Sequence, residues 1–548
     1  MRLGRPSARL LVLAMAASLT SSVAAGDEPP AALPPARNGE VLEDRLRKLE
    51  SLNEQILRRL EDSERDRRAT HERYERLEER YRDLSRKMEP ALREPERWDS
   101  PRPGNRTEPS ASGEARVGRE QGRRRGSGQG FESFLERSEE LPLRAALEEG
   151  FTLKSRDDEY QLRFRLLDQT DLKVFSPGDQ VPARSGLFIP RVRFYWEGQL
   201  TRLFQYEVSI QRSVEGVWDL LDGNVNVVPD KRFQVRFGRM LVPYSYDWYD
   251  HLEQYFITPE RSLFPLNFGL SRSAGLMAHG FLFDDRLEYA AGGFDGHLIG
   301  LADNNTTRDA VGYLNYRPFL RSERMPLLRN FNVGASGFLG KQANMLHPLP
   351  LRTSIQSSEN DEAAQAASSI FLRYNDDTVD FGGRSATALH MAWYAAGFSF
   401  EAEWQGGRDH VYRPGLHALQ SIPATGNHFT LSYFLTGEVV ERRQVVTPLR
   451  PFDPARGLWG PGALEPYARF SQLSLGEAVF TGGFADPNQW TRSIDLLDVG
   501  LNWYLTKYIK IYFDWQHSMY GSPVLLNPSK DLYGRTNDLF WIRGQLYY

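Results

Sequence analysis

The chain contains no cysteine, so it has neither a disulfide framework nor a thiolate metal site. Beyond the first 30 positions it has no apolar run of about 18 residues, the length a helix needs to cross a bilayer, which argues against a helical membrane protein. Net charge is small: 68 Lys and Arg against 72 Asp and Glu leave −4 over 548 residues. No large field of one sign exists to attract nucleic acid. The 10 histidines form no HExxH or similar zinc pattern, and their spacing identifies no Ser-His triad. The sequence therefore assigns no catalytic residue, no metal ligand and no cofactor. What it has in plenty is aromatic: 11 Trp, 24 Tyr and 31 Phe make up 12% of the chain, at a mean hydropathy of −0.52. Aromatics at this level in a polar chain suit a membrane–water interface, although an aromatic-rich soluble β protein has the same composition.

The first 25 residues read as a secretory signal. Arg2, Arg5 and Arg9 form the positive region, Leu10 to Leu19 the apolar one, and Val23-Ala24-Ala25 the small residues before cleavage. Residues 40–89 read as a coiled coil. Leu42, Leu46, Leu49, Asn53, Ile56, Leu60, Tyr74, Leu77, Tyr81, Leu84 and Met88 keep a 3-4 spacing, through a weak centre at Ser63, Arg67 and Thr70. A 3.5-residue period implies left-handed supercoiling. Heptads need partner helices, so the chain is expected to oligomerise, with dimer and trimer both open. Residues 90–149, rich in Arg, Glu, Pro, Gly and Ser, read as a flexible linker that buries too little surface to fold. A short helix is expected over 131–149.

From about residue 150 to 548 the period changes to two. Leu162, Phe164 and Leu166 alternate with Gln161, Arg163 and Arg165; Val192, Phe194 and Trp196 alternate with Arg191, Arg193 and Glu197; Ile509, Ile511, Phe513 and Trp515 alternate with Lys510, Tyr512, Asp514 and Gln516. A soluble sandwich shows the same alternation. Three features favour the inverted arrangement of a transmembrane barrel, apolar outside and polar within. Segments of about ten residues suit a tilted span. Very short joins, around Thr201, Pro229-Asp230, Asp284-Asp285 and Thr506-Lys507, alternate with long ones, as periplasmic turns do with external loops. The last segment, with Phe540, Ile542, Leu546 and Tyr548 on one face, closes on an aromatic. The fold expected is an all-β transmembrane barrel of about 16 antiparallel strands, starting near 160, 188, 203, 220, 231, 275, 286, 309, 330, 386, 397, 427, 463, 494, 508 and 539. An even count puts both barrel ends on the periplasmic side, and a barrel of this size encloses an aqueous channel.

Strand parity points Arg163, Arg165, Arg191, Arg193, Arg232 and Arg236 into the lumen. Ladders of Arg select anions, because forked guanidinium donors replace lost hydration at phosphate-like oxygens. Glu197, Glu207 and Asp222 share that lumen, so a general pore lined by ion pairs is the competing reading. The connection at 240–274 is the third external loop and carries His251, Glu253, Glu260, Arg261 and Arg272; a loop of this length is long enough to fold inward and narrow the pore.

The stretches GFTLKSRDDEYQLRFRLLDQTDLKVF (150–175), PRVRFYWEGQLTRLFQYEVSI (190–210), LDGNVNVVPDKRFQVRFGRMLVPYSYD (221–247) and ERSLFPLNFGLSRSAGLMAHG (260–280), with GALEPYARFSQLSL and LLDVGLNWYLTKYIKIYFDW near the end, resemble the phosphate-selective porin O and P family. That resemblance implies sixteen-stranded trimeric barrels in the cell outer membrane, a third loop folded into the pore, and passage of phosphate or related anions. It also implies that Arg261 and Arg272 belong to the frame around the loop. The chain departs from the family's basic constriction loop: 240–274 sets only Arg261 and Arg272 beside acidic residues. The function expected is passive diffusion of small hydrophilic solutes, with outer-membrane lipid around the barrel and peptidoglycan or another periplasmic partner at the coiled coil. Two alternatives stay open: a coiled-coil envelope tether with a non-selective barrel, and an outer-membrane barrel enzyme.

Overall fold

The computed structural model describes residues 143–296, 307–342, 346–356 and 362–548. The expected signal, the coiled coil and most of the linker lie outside the described residues. Alternating side chains build strands because successive Cβ atoms point to opposite faces, and here the two-residue period gives one sheet that closes on itself. Its sixteen barrel strands are β1 Gln161–Ser176, β2 Gly186–Thr201, β3 Phe204–Ser213, β4 Trp218–Asp230, β5 Phe233–Leu241, β6 Arg272–Leu282, β7 Leu287–Phe294, β8 Asp309–Tyr316, β9 Asn330–Gln342, β10 Val379–Ala395, β11 Phe398–Arg413, β12 Ala418–Tyr433, β13 Ala463–Leu475, β14 Ser493–Tyr504, β15 Ile509–Asn527 and β16 Leu532–Tyr547. Neighbours pair antiparallel throughout. The ladder from Leu167↔Tyr547 to Ser176↔Asp538 joins β1 to β16 and leaves no edge there. No helix among the described residues is long and apolar enough to cross a membrane.

The apolar face points outward. On β16, Phe540, Ile542 and Leu546 are exposed, while Trp541, Arg543, Gln545 and Tyr547 are buried in the lumen. On β1, Leu172 and Val174 face out, while Arg165, Gln169, Asp171 and Lys173 face in. Exposed hydrocarbon around a polar interior is the reverse of a soluble sandwich and matches a barrel in lipid. Three strands start earlier than the alternation suggests: β10 at 379, β12 at 418 and β16 at 532, rather than near 386, 427 and 539. Each begins at its external end. Above the bilayer both faces meet water or loops, so strands persist there without an apolar rhythm.

Two expectations need correction. Leu143–Glu148, inside the span expected as a short helix, is a strand paired with Gly150–Ser155. Leu, Ala, Arg and Glu are good helix formers, but tertiary context routinely overrides propensity, and here free backbone on β1 does so: residues 151–154 pair with 161–164, just below the end of the β16 ladder. The hairpin turns at Gly150, φ 99°, where a Cβ would sit 2.5 Å from the Phe164 carbonyl oxygen. The rule of short periplasmic joins also has two exceptions, 317–329 between β8 and β9 and 434–462. The connection 434–462 between β12 and β13 is long and turns back into the barrel. Its Val440 joins the lumen core, and its Val445 packs against Leu167, Tyr195 and Tyr547.

Candidate functional site

The third external loop, 242–271 between β5 and β6, crosses the lumen and narrows it. Its own apolar side chains drive this. Val242, Tyr244, Tyr246, Leu263 and Phe264 are buried against Met277, Tyr313, Phe338 and Tyr394 of the wall. Such a segment must also satisfy its backbone away from bulk water. Glu403 on β11 accepts the amides of Tyr246 (2.8 Å) and Asp247 (3.2 Å) and the Ser245 hydroxyl (2.9 Å), fixing the first turn, Tyr246–Tyr249. Asp247 accepts the amide and hydroxyl of Ser262, at 2.9 and 2.8 Å. The Leu263 amide donates to Ser471 on β13 (3.0 Å).

The loop then engages the arginines of the wall. Arg191 reaches both carboxylate oxygens of Glu260 at 2.9 Å. Arg193 pairs with Glu253 at 2.9 Å and also binds Gln211. Arg272 bridges Glu253 and Asp222, each at 3.4 Å. Arg261 braces the loop from inside: it donates to the carbonyls of Asp247 and His251 and lies over the rings of Trp248 (4.0 Å) and Phe256 (4.6 Å). The His251 ring packs on Tyr246 and lies 3.7 Å from Glu401. Arg165 pairs with Glu197 and donates to the Tyr547 hydroxyl. Burial by itself would raise the Glu260 carboxyl, but Arg191 and Arg543 outweigh it and hold the group at about 2. Burial likewise opposes ionisation of Glu253, and Arg193, Arg272 and Arg261 keep it well below the usual carboxylate range.

The six lumen arginines expected from parity thus divide. Arg165, Arg191 and Arg193 are neutralised by carboxylates. Arg232 is not in the lumen: it stands on the turn between β4 and β5, exposed, in an ion pair with Asp230, because β4 runs on through Asp230 and shifts the turn by two residues. Only Arg163 and Arg236 of the six face the lumen with no ion pair among the described residues. They line a recess of about 310 Å³ in its periplasmic half.

The last four strands contribute a second set of residues that the sequence did not single out. Loop carbonyls 254–260 point at them. Gln545 donates to the Gln254 carbonyl (3.0 Å), Lys510 to Phe256 (2.6 Å), Asn502 to Ile257 (2.8 Å), Arg543 to Pro259 and Arg469 to Glu260 (2.6 Å). Arg543 also pairs with Asp171 and Glu260. Their signal was the polar parity of β13–β16, but parity does not reveal which loop will meet it. The periplasmic connection 434–462 meets the same loop from below: Arg442 binds Asp250 (3.0 Å), and Arg443 binds Glu465 (2.7 Å) and the Tyr255 carbonyl (3.4 Å). The arrangement is a narrowed aqueous lumen with its loop locked by charge. Among the described residues no group of His, Asp and Glu is placed to hold a metal ion.

Comparison with known proteins agrees in kind. The sequence profile of the family described as phosphate-selective porin O and P matches residues 161–522. A search among curated proteins finds no match. Solved structures with a similar chain path include OmpT, an outer membrane protein of Vibrio cholerae in trimer form, at 10% identity, covering 71% of this chain and 100% of that one, TM-score 0.42. They include the anion-selective porin from Comamonas acidovorans, at 12% identity, covering 71% and 100%, TM-score 0.42. OmpF of Salmonella typhi in complex with daunomycin is similar at 12% identity, covering 72% and 99%, TM-score 0.43.

Proposed function

Because the chain belongs to the phosphate-selective porin O and P family and forms an outer-membrane porin channel, we propose that it passes small hydrophilic solutes by diffusion with a preference for anions, phosphate among them. One observation carries the preference: Arg163 and Arg236 face the lumen without a carboxylate partner, whereas the other lumen arginines of β1 and β2 are matched. An unmatched guanidinium raises the local concentration of anions and offers a fork to carboxylate or phosphate oxygens. Purified protein in planar bilayers tests this. The reading expects stepwise conductance and a reversal potential of anion sign in a chloride gradient, retained when phosphate replaces chloride. Cation sign removes the preference and leaves the pore.

A second reading, a non-selective pore on an envelope tether, draws on the neutralisation of Arg165, Arg191 and Arg193; zero reversal potential supports it. In either case the even strand count supports an N-terminal region in the periplasm, where the coiled coil spaces or joins barrels and meets peptidoglycan or another partner. A homotrimer in outer-membrane lipid is the assembly this reading expects, and cross-linking of the full chain, counted by mass, tests it.

A further inference from the structure

The recess in the periplasmic half of the lumen collects charges that the rest of the structure leaves unmatched. Arg163, Glu197, Tyr206, Glu207, Asn224 and Arg236 are among its walls. Glu197 is taken by Arg165. Glu207 accepts from the amide of Asn224 at 3.3 Å and makes no ion pair, with Arg236 in electrostatic range across the recess. The Nε donors of Arg163 and Arg236 are shielded from solvent and have no hydrogen-bond partner. Elsewhere in this lumen Arg191, Arg193, Arg272, Arg443, Arg469 and Arg543 all have carboxylates. Leaving those donors without a partner in one small volume is unfavourable unless something else meets them.

Two guanidiniums and one carboxylate are the charge mirror of a solute with two carboxylates and one ammonium. A guanidinium fork fits a carboxylate edge, and a carboxylate accepts from a compact ammonium. We propose that this recess is a subsite for acidic α-amino acids: Arg163 and Arg236 hold the two carboxylates and Glu207 holds the ammonium. The proposal rests on the anion-preferring channel above and names one class of solute that it holds most tightly. It also predicts an order of binding. A plain dicarboxylate of the same length, or inorganic phosphate, still meets the two guanidiniums but sets negative charge against Glu207 with no ammonium to relieve it, and so is held less tightly than the amino acid.

The experiment is block of chloride current in planar bilayers by L-glutamate, glutarate and inorganic phosphate at matched ionic strength. One charge-assisted hydrogen bond should make L-glutamate about tenfold more potent than glutarate. Glu207→Gln keeps the shape and removes the charge, so that ratio should fall to about one. Arg163→Gln with Arg236→Gln should weaken block by both solutes, with resistance of the barrel to heating in detergent as the check on folding. Equal potency of L-glutamate and glutarate in the native channel, stronger block by phosphate, or an unchanged ratio in Glu207→Gln overturns the subsite. If the reversal potential keeps its anion sign in those cases, only the subsite falls; if it turns to cation sign, the anion preference beneath it falls as well.

Discussion

Arg191 on β2 holds both carboxylate oxygens of Glu260, in the third loop, at 2.9 Å. A residue that sequence parity marks as a selector of passing anions is therefore occupied in seating the constriction loop. Arg543 on β16, separated from β2 only by β1, grips the same carboxylate at 2.8 Å. Breaking one side of a buried pair leaves the other charge stranded, at a cost of about 3–5 kcal/mol, whereas replacing both partners by apolar groups is often neutral.

Arg191→Gln is accordingly expected to lower the urea midpoint of the barrel in detergent and to make the open-channel current noisier, as the loop leaves its seat. Reversal potential should change little in Arg191→Gln/Glu260→Gln, since the pair together carries no net field into the passage. A quiet, normally stable Arg191→Gln channel is the opposite outcome.

Acid should release the loop within a defined window. Glu260 has an ordinary value of 4.5 and is held at about 2 in the folded loop. A lowered folded value means that the native state favours the ionised form. Its contribution is complete above about 4.5, shrinks as pH falls, and is gone below about 2. Glu253 is shifted in the same direction. Single-channel recordings should hold steady between pH 5 and 8, and current noise should grow as pH drops below about 4. Noise that instead sets in near neutrality points to a different group.

How far such a site can be read from sequence depends on what sets each position. Side chains on lipid-spanning strands obey a two-residue rhythm, so Phe540, Ile542, Arg543 and Gln545 were assignable to outer and inner faces from their order alone. The third loop was visible as a long aromatic segment in the right place. Its partners were not. That Glu260 meets Arg191 and Arg543, or that Lys510 serves the Phe256 carbonyl, depends on how a loop without periodicity crosses a closed barrel. The same holds for the connection 434–462. Its Arg442 and Arg443 look like surface charge until the chain turns inward. Residues 143–148 went the other way: local helical preference was plain, and the open edge of β1 overrode it.

The outward orientation of hydrocarbon is tested by Ile542→Arg on β16. A charge facing lipid near mid-depth costs about 2–4 kcal/mol, and urea titration of barrels folded into vesicles reads it directly. Gln545→Arg, on the lumen face of the same strand, escapes the lipid term. Equal losses for the two variants contradict the assigned faces.

The central claim is that the lumen arginines divide into those that lock the loop and those that meet the solute. Reversal potential in a salt gradient, compared between Arg163→Gln/Arg236→Gln and the charge-neutral Arg191→Gln/Glu260→Gln, tests it most directly. The account predicts that Arg163→Gln/Arg236→Gln loses most of the anion preference while Arg191→Gln/Glu260→Gln keeps it. An unchanged potential in Arg163→Gln/Arg236→Gln, with the preference lost in Arg191→Gln/Glu260→Gln, would contradict it.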